Sequence, residues 1–543
     1  MARRVSSFLF VLAAVLTASA AGAVEPRHAP ALGASGLGWR DLGRVGAARP
    51  VTLTVALKYR NPALLERLIA LQSTPGSPLY GHFLSNAQFD EAFGPSPAAY
   101  AATLSSLRGA GFRVLQTSAN RTLIDIAGSA ALVERTFGTV LHRVVQAGFG
   151  ERTLAAGEPR LPLELRANVE AVDGFDDVVW VQPLLRTHSA GGDLLPQLGP
   201  ITFGGAYGPN ATSVGYDLPV RHGFDGRGHG VGNVICGDFR EVDLEAFLDY
   251  FVIPRRGPAT DRIEVDGGAP YFPPSHDPQN CSIESSLDVQ TIVGNAPGTS
   301  FREYLIPDLS NRHIEDAYNR VVSDNAVSVV NSSFGGCERQ GPGFAKITDA
   351  IAAQGAAKGI TFDASSGDFG SAVCSPKGVS APASGPHFMA VGGTVLSVNL
   401  KTGVYKKETG WSGSGGGVSV IFGEPSYQKL IDGPLPGHRN VPDIALASVN
   451  VALLDGGSWF GADGTSWSAP LYAAFQSEID QMTGVRAGLA AHAFYELAAS
   501  SEPSDYFHDI TTGSNGAYHA KAGYDNVTGI GSVKGEALAH AFP

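Results

Sequence analysis

The stretch that decides the fold is Gly461-Ala462-Asp463-Gly464-Thr465-Ser466-Trp467-Ser468-Ala469-Pro470. Its Gly-Thr-Ser turn leads into residues 468–479, a segment of helical character. At the start of a helix the dipole favours developing negative charge, so the Ser466 hydroxyl is well placed for a nucleophile. We expect Pro470 in the first helical turn, where its missing N–H costs nothing. An ordinary Ser/Thr helix cap has the same pattern, so Ser466 needs catalytic partners elsewhere.

Length and composition limit the classes of function that the chain can have. A chain of 543 residues can bury a large core and suggests two or more domains. Its 68 glycines and 17% charged residues favour a loop-rich α/β enzyme over a helical scaffold. The formal net charge is −12 and basic residues form no run, which argues against a nucleic-acid partner.

Residues 1–23 resemble a signal peptide. Arg3 and Arg4 precede the apolar run 8–16, and small residues at 21–23 form a cleavage pattern. The run is too short to span a bilayer comfortably, and no later stretch is apolar enough. The sequence therefore predicts a secreted, extracellular protein without a membrane anchor.

Four cysteines are compatible with an oxidising compartment but are too few for a disulfide scaffold. They allow three complete pairings. We favour Cys337–Cys374, because both residues lie in loops. Cys236 ends an apolar strand, so burial without a disulfide is the alternative for this residue. The fourth cysteine is Cys281.

The N-terminal region, about 50–180, contains two β-α-β patterns that predict a small split α/β sandwich. Strand patterns cover 51–57, 112–115, 122–126 and 140–145, and helical patterns lie near 64–71, 100–107 and 131–137. No cluster of catalytic residue types occurs there, so a binding module and a propeptide fit equally well. Residues 188–200 predict an interdomain linker open to proteolysis.

Apolar runs of strand length alternate with helical patterns after residue 201. The runs lie at 231–236, 327–331, 360–364 and 388–391. This alternation predicts a parallel sheet covered by helices on both faces. Catalytic groups are then expected in loops at the carboxyl ends of the strands.

Carboxylates offer better partners for the serine than histidine does. The best histidine, His229, lies in a Gly-rich turn and is poorly placed for a base. Glu284 and Asp288 stand four apart in a helical pattern, so they project from one face and can share a proton. A solvated acidic face is the alternative. The apolar neighbours indicate burial, however, and a buried acidic pair is costly unless it is functional.

A third acid, Asp368, directly follows the strand pattern at 360–364. A carboxyl at the end of a strand is well placed for a site, although an Asx-type turn explains it equally well.

The motifs together resemble the sedolisin (kumamolisin-type) serine-carboxyl peptidases with their pro-kumamolisin activation domain. In the family's order they are Glu284-x-x-x-Asp288, Ser366-Gly367-Asp368-x-Gly370 and Gly464-Thr465-Ser466-x-x-x-Pro470. The region around 77–84 and 93–95 resembles the family's propeptide. The resemblance implies an α/β fold, a subtilisin-like parallel sheet with flanking helices, preceded by a ferredoxin-like α+β prodomain.

The resemblance also implies catalytic roles. Ser466 attacks the peptide carbonyl, Glu284 takes its proton, and Asp288 orients Glu284. Asp368 stabilises the oxyanion beside the Ser466 backbone N–H, for which it must be protonated. A carboxylate base also suits an acidic medium. At about pH 4 a histidine of pKa about 6.5 is roughly 99% protonated and cannot accept a proton. We therefore expect an acidic optimum.

Residues Ser333, Phe334 and Gly335 resemble the family's substrate-pairing strand, with Phe334 where relatives often have Trp. Ile235 or Cys236 stands where some relatives carry a Glu that extends the catalytic hydrogen-bond chain. We expect a shorter acid–base network and a different pH profile in this chain.

The C-terminal segment suggests a second site. Carboxylates and carbonyls of Gly-rich backbone suit calcium, although such loops alone more often bind nothing. The resemblance implies one structural Ca²⁺, held by Asp509 and Asp525 side chains and by the carbonyls of Ile510, Lys521 and Gly523. Position 521 is usually Gly in the family, so Lys521 departs from the pattern.

These expectations combine into a secreted, monomeric serine-carboxyl endopeptidase that hydrolyses polypeptides at acidic pH and processes itself. Residues 24–187 are its propeptide and intramolecular inhibitor, 188–200 contain the maturation cleavage, and 201–543 form the catalytic domain. The alternatives are a tripeptidyl exopeptidase of the same family, a non-catalytic binding protein on that scaffold, and a glycosidase that uses the carboxylate pair.

Overall fold

The computed structural model describes residues 39–542 except 75, 147–149, 179, 190–199, 278 and 375–376. The predicted signal peptide and most of the predicted linker therefore lie outside the described residues. Within these limits, no helix is long and apolar enough to cross a membrane.

The N-terminal domain is built on a four-stranded antiparallel sheet of order β3-β4-β2-β7. The connections β2-α3-β3 and β4-α4-β7 are those of a ferredoxin-like fold. Its elements are β1 (Trp39–Arg44), β2 (Pro50–Leu57), α1 (Pro62–Ser73), α2 (Asn86–Ala92), α3 (Pro97–Ala110), β3 (Arg113–Thr117), β4 (Leu123–Ser129), α4 (Ala130–Phe137), β5 (Leu141–Gln146), β6 (Gly150–Ala155) and β7 (Val169–Asp173).

One predicted strand joins a different sheet. The strand predicted at 140–145 is present as β5, but it pairs with β1 and β6 in a separate three-stranded sheet. Its place in the main sheet is taken by β7, which pairs with β2. Because β5 and β6 follow each other closely in the chain, they pair locally, and the long-range partner of β2 comes from later in the sequence.

The catalytic region contains the predicted parallel sheet, an eight-stranded one of order β13-β14-β12-β15-β17-β19-β20 with β23 also paired to β19. All neighbours are parallel except β19 and β20. The helices of this region are α5 (Pro209–Gly215), α6 (Glu241–Phe251), α7 (Cys281–Asn295), α8 (Asn311–Asp324), α9 (Pro342–Ala357), α10 (Thr465–Thr483), α11 (Ala491–Ala498) and α12 (Gly535–Ala541).

The strands that follow the N-terminal domain are as follows: β8 (Gln182–Pro183), β9 (Arg186–Ser189), β10 (Thr202–Phe203), β11 (Ala206–Tyr207), β12 (Gly230–Ile235), β13 (Asp261–Glu264), β14 (Ser300–Leu305), β15 (Val329–Asn331), β16 (Phe334–Cys337), β17 (Thr361–Ser365), β18 (Ser380–Ala381), β19 (Phe388–Val398), β20 (Tyr405–Gly410), β21 (Gly417–Val418), β22 (Asn440–Val441), β23 (Ile444–Ala447), β24 (Val449–Asp455), β25 (Ser458–Asp463), β26 (Phe507–His508) and β27 (Ser532–Val533).

Two helices form the centre of the catalytic region and pack against each other. Every residue of α7 is buried, as is α10 from Thr465 to Asp480. The hydrophobic core around them includes Leu287, Ala469, Leu471 and Phe475. Polar side chains on these helices are therefore held in a dry environment, where an unpaired charge is expensive.

The N-terminal domain docks on helices α8 and α9 through polar contacts. Asn120 Nδ2 donates to Asn319 Oδ1 at 2.7 Å, and Asn311 Nδ2 donates to Asp173 Oδ2 at 2.7 Å. Arg312 of α8 forms an ion pair with Asp125 of the N-terminal domain at 3.3 Å. The domain is thus seated on the catalytic region by matched hydrogen bonds as well as by apolar contacts.

All four cysteines are paired, as Cys236–Cys281 and Cys337–Cys374. The second pair is the one we favoured. The first shows that the burial of Cys236 has a covalent reason, since this residue follows β12 and its partner opens α7. A bond from the end of a central strand to the start of the buried helix restrains that helix along its axis.

Candidate active site

Glu284 and Asp288 lie one turn apart on α7, and neither is exposed. The helix begins under a carboxylate cap: Asp277 accepts hydrogen bonds from the backbone N–H of Cys281 at 2.8 Å and of Ser282 at 2.7 Å. An anion at a helix N-terminus is stabilising, so this cap supports the turn that carries Glu284. The predicted one-face arrangement and the burial of the helix are both confirmed.

Burial raises the pKa of Glu284 well above its usual range, and the nearby Asp288 charge raises it further. An interaction with Ser466 opposes this rise. Both Glu284 carboxyl oxygens are buried and accept no hydrogen bond from the described residues. The pKa of Asp288 is raised too, mainly by burial. Two carboxyls held together in this way retain a proton between them over a wide pH range and titrate as a pair.

Asp288 is held by a chain of side chains that sequence reasoning missed. Ser333 Oγ donates to Asp288 Oδ1 at 2.5 Å, and Asn331 Nδ2 donates to Ser333 Oγ at 3.0 Å. Asn331 also donates to Asn233 Oδ1 at 2.8 Å, and Asn233 in turn reaches Glu303 Oε1 at 3.4 Å. Asn233, Glu303 and Asn331 come from three different strands and Ser333 follows the last of them, so no local pattern connects the four residues. The hydrogen bonds around Asp288 therefore extend through two amides to Glu303.

Ile235 and Cys236, where β12 ends, carry no carboxyl. Both are fully buried, and Cys236 is bonded to Cys281. A disulfide thus stands at the end of β12, and the buried acid of this region, Glu303, comes from the neighbouring strand β14.

Ser466 is the second residue of α10, so the predicted position at a helix N-terminus is confirmed. Its hydroxyl donates to Ser333 O at 3.2 Å, and its backbone N–H donates to Leu184 O at 3.3 Å. To reach the Glu284 carboxyl, the hydroxyl would have to turn away from Ser333 O. Catalytic hydrogen bonds often tighten only when the reaction begins.

Pro470 does not lie in the first turn as we expected, because the helix begins earlier, at Thr465. It therefore removes an internal hydrogen bond and leaves the Ser466 carbonyl oxygen without its helical donor. Ser333 Oγ lies 3.5 Å from that oxygen. Pro470 thus leaves the Ser466 carbonyl oxygen accessible to the Ser333 hydroxyl.

Asp368 lies beyond the end of β17, in the loop predicted for it. Thr465 donates its backbone N–H at 2.8 Å and its hydroxyl at 2.9 Å to Asp368 Oδ1. Asp368 Oδ2 has no hydrogen-bond partner in the described part of the chain. Burial raises the pKa of Asp368 to about 7, so below that pH the carboxyl is protonated and can donate from Oδ2.

A segment of the chain itself lies across these residues. Strand β8 pairs antiparallel with β16, opposing Pro183 to Phe334 and Gln182 to Gly335. Leu184 N then donates to Ser333 O at 3.2 Å, and β9 continues antiparallel to β25. The end of the N-terminal domain therefore fills the cleft in an extended conformation.

Ser333, Phe334 and Gly335 all lie beside this segment and pair with it through their backbone. The Phe334 side chain is buried and stacks at 6.4 Å on Tyr318, away from the cleft. A Cβ at Gly335 would overlap Ser380 and would lie 3.5 Å from the Leu184 side chain. The close approach of β18 therefore favours glycine at this position.

The predicted calcium ligands come together in one loop. Gly523 N donates to Asp509 Oδ2 at 3.3 Å, and Lys521 N donates to Asp525 Oδ2 at 3.0 Å. Asp525 is buried, Asp509 is exposed, and the carbonyl of Ile510 lies in the same loop region. Across the described residues, no group of three or more His, Cys, Asp or Glu side chains has metal-binding geometry. Any cation here would thus depend on backbone carbonyls.

His229, the histidine considered as a base, is not in this site. It lies before β12, with Nδ1 3.9 Å from Asp480, and burial lowers its pKa. The groups that shift the pKa of Glu284 are Asp288, Ser466, Asp368 and Asp277, and no histidine is among them.

Comparisons with known proteins agree with this geometry. Residues 37–178 match the family described as "Pro-kumamolisin, activation domain". Sedolisin of Pseudomonas sp. (strain 101) is 31% identical over 527 residues, covering 90% of this chain and 86% of its own. Xanthomonalisin of Xanthomonas sp. (strain T-22) is 30% identical, covering 95% of this chain and 69% of its own.

A solved structure is similar as well: Pseudomonas sedolisin, a serine-carboxyl proteinase complexed with two molecules of pseudo-iodotyrostatin. It has 29% identity and a TM-score of 0.54, and the match covers 62% of this chain and 97% of that one. Among more distant sequences, a tripeptidyl-peptidase of Aspergillus fumigatus is 24% identical over 91% of this chain and 92% of its own.

Proposed function

Because the chain belongs to the sedolisin family of serine-carboxyl peptidases and carries its activation domain, we propose that it is a secreted endopeptidase acting on polypeptides in acid. The observation that carries the proposal is the convergence of Ser466, Glu284 and Asp368 on one buried point beneath an extended peptide segment. A non-catalytic binding protein has no use for this arrangement, and a glycosidase leaves Ser466 unexplained.

Each group has one role in the proposed reaction. Glu284 takes the proton of Ser466 as the hydroxyl attacks the peptide carbonyl and later gives it to the leaving amine. Asp288 shares charge with Glu284, and Ser333 holds Asp288 in place. The Ser466 backbone N–H and protonated Asp368 donate to the developing oxyanion.

The acidic optimum follows from the protonation states. The pair Glu284–Asp288 must hold one proton and one negative charge, and Asp368 must be protonated. Since the pKa of Asp368 is raised to about 7, activity is lost as the pH rises through neutrality. An acidic extracellular medium therefore suits the site.

Endopeptidase action is supported by the path of the bound segment. Beyond Leu184 towards the N-terminus, the segment continues through Pro183 and Gln182 to Trp180. A Cβ at Gly336 would overlap the Trp180 carbonyl, so the chain is still close to β16 there. A tripeptidyl peptidase would instead have to close the cleft after three residues.

The test is hydrolysis of a denatured protein and of an N-terminally acetylated peptide between about pH 3 and 8, the range that separates carboxylate from imidazole bases. We expect internal cuts in both substrates with an acidic maximum. Release of tripeptides from free N-termini, with the acetylated peptide left intact, would favour the exopeptidase. No hydrolysis by processed, folded protein would favour the binding scaffold.

For maturation, we propose a signal peptide at 1–23, an inhibitory propeptide at 24–187 and a catalytic domain at 201–543 that works as a monomer. Cleavage in 188–200 would set the mature N-terminus. The docking contacts on α8 and the filled cleft support inhibition before the cut.

We also propose one structural calcium ion at the loop of Asp509 and Asp525. The carbonyl oxygens of Ile510, Lys521 and Gly523 accept no hydrogen bond from the described residues, so they remain available as ligands. Two carboxylates, three carbonyls and water make up the oxygen set that Ca²⁺ prefers. The ion would tie the loop together and would take no part in the reaction.

Calcium is therefore expected to raise the thermal midpoint of the Ser466→Ala protein, which cannot digest itself. At 100 times Kd the gain is about 2.7 kcal/mol, or several degrees. The measurement is calorimetry with calcium and with a chelator. The effect should vanish in Asp509→Ala and persist in Asp505→Ala, a nearby exposed acid. An unchanged midpoint at millimolar calcium would contradict the proposal.

A further inference from the structure

The segment from Trp180 to Ser189 contacts both walls of the cleft. Its first half adds a strand to β16, and its second half adds a strand to β25, antiparallel in each case. Extended peptides are commonly recognised by such strand addition, in which main-chain hydrogen bonds supply affinity and side-chain pockets supply specificity. The register of the segment can therefore be read against the catalytic groups.

Leu184 is the residue whose peptide unit meets those groups. Its N–H donates to Ser333 O, the same oxygen to which the Ser466 hydroxyl donates. Its carbonyl oxygen accepts from Ser466 N at 3.3 Å. A Cβ at Gly464 would overlap this carbonyl oxygen and would lie 2.9 Å from Asp368 Oδ2. The Leu184 carbonyl thus lies between the nucleophile's N–H and the unpartnered oxygen of Asp368.

We propose that residues 182–188 lie in the cleft as a substrate, with Leu184–Leu185 as the first bond cut and with a subsite for a basic side chain two residues after that bond. The inference rests on the proposed function and adds to it the peptide sequence that the enzyme prefers to cut. Cleavage within 188–200 then follows as a second cut that shortens the new N-terminus. The mature enzyme would accordingly cut after apolar residues that precede an X-Arg or X-Lys pair.

The step balances without any further reagent. Ser466 Oγ bonds to the carbonyl carbon of Leu184, and its proton passes to Glu284. The carbon–nitrogen bond to Leu185 breaks, and the new amine takes the proton from Glu284. Water then attacks the ester, which releases the Leu184 carboxyl group and restores the Ser466 hydroxyl.

The side chain before the bond is buried. Leu184 is only 3% exposed and approaches Gly335 of β16. A buried side chain at this position contributes to binding through the apolar area that it removes from water. A charged residue there would lose its solvation without a partner.

The basic subsite is formed by the residue next to the catalytic acid. Arg186 places its guanidinium carbon 5.2 Å from the centre of the Phe369 ring and donates from Nη2 to Asp368 O at 2.8 Å. Phe369 is 51% exposed, so its ring is accessible to a side chain of a bound peptide. A cation over an aromatic face is attracted to it, and Arg adds directional donors that Lys lacks.

The first test is the order of cuts in the full chain. Protein purified near neutrality is acidified, and intact masses are followed with time. We expect the first fragments to end at Leu184 and begin at Leu185. Leu185→Pro should abolish this cut, whereas Leu185→Val should keep it. First cleavage inside 188–200, with the Leu184–Leu185 bond intact throughout, would overturn the inference.

The second test uses the mature enzyme and acetyl-Val-Gln-Pro-Leu-Leu-Arg-Thr-His-amide beside the same peptide with Ala or Glu in place of Arg. We expect kcat/KM to favour Arg over Ala by about 3- to 30-fold, and Glu to be worst. The Arg-to-Ala ratio should fall towards one in Phe369→Ala and partly in Phe369→Leu, which keeps the bulk of the side chain.

Equal rates for all three peptides, or an unchanged ratio in both Phe369 variants, would overturn the subsite. If these peptides are cut at other bonds while denatured protein is hydrolysed, the assigned register is wrong and the proposed function stands. If nothing is hydrolysed at any pH, the proposed function falls, and this inference falls with it.

Discussion

Ser466→Ala should give a folded chain that neither processes itself nor hydrolyses any peptide. In the proposed mechanism the Ser466 hydroxyl forms the bond to the peptide carbonyl, and alanine has no group that can replace it. Loss of a catalytic serine typically lowers kcat by about 10⁵-fold or more. The measurement is fragment mass after acidification, together with kcat on a denatured protein at the optimum pH.

The matched control is Ser468→Ala, on the same helix and equally buried. The Ser468 hydroxyl donates to Thr465 O at 2.9 Å and does not contact Glu284. Its removal should cost about 1 kcal/mol of stability and change kcat by no more than a small factor. A Ser466→Ala chain that still cut itself would contradict the assigned nucleophile.

Asp368→Ala should lower kcat by about 10²- to 10³-fold, the usual cost of losing one oxyanion donor. Asp368→Asn should retain far more, because the amide oxygen can keep both Thr465 donors and the amide nitrogen then lies where Oδ2 lies. The two variants together separate loss of the donor from loss of the charge.

The pH dependence of kcat tests the role of Asp368 more directly than rates at a single pH. Asp368 donates to the oxyanion only while protonated, and its pKa is about 7, so at pH 8 roughly a tenth of it is active in the wild type. Asparagine donates at every pH. The ratio of Asp368→Asn to wild-type kcat should therefore rise about tenfold between pH 5 and 8. A ratio that stays constant would show that Asp368 does not set the alkaline limb.

The parts of the site that sequence could predict are those with local spacing. Glu284 and Asp288 lie on one helix face because they are four residues apart, and Asp368 lies in a site because it follows a strand. Ser466 is at a helix start because of the Gly-Thr-Ser turn. Each of these positions depends on a few neighbouring residues, so pattern alone is sufficient to place them.

The rest depends on contacts between distant parts of the chain. Asn233, Glu303 and Asn331 meet behind Asp288 because β12, β14 and β15 are neighbours in the sheet, and the order of strands is not written in any one segment. The Cys236–Cys281 bond likewise joins a strand end to a helix start. The pairing of β7 with β2 also joins segments that are distant in the sequence.

The cleft segment is a further case. Residues 182–188 carry no motif, and only the register against β16 and β25 reveals that Leu184 meets Ser466. The prediction for Pro470 was wrong because α10 begins earlier, at Thr465. The backbone N–H of Thr465 donates to Asp368, a residue that is distant in the sequence.

Both cross-links lie within the catalytic region, between Cys236 and Cys374, and neither reaches the N-terminal domain. Once the connecting chain is cut, that domain is held by non-covalent contacts alone. Inhibition then changes from an intramolecular state, independent of protein concentration, to a bimolecular equilibrium with its own dissociation constant. Freshly cut enzyme should thus be inhibited at high concentration and become active on dilution, so an organism that releases it into a large volume would obtain activation from dispersal itself.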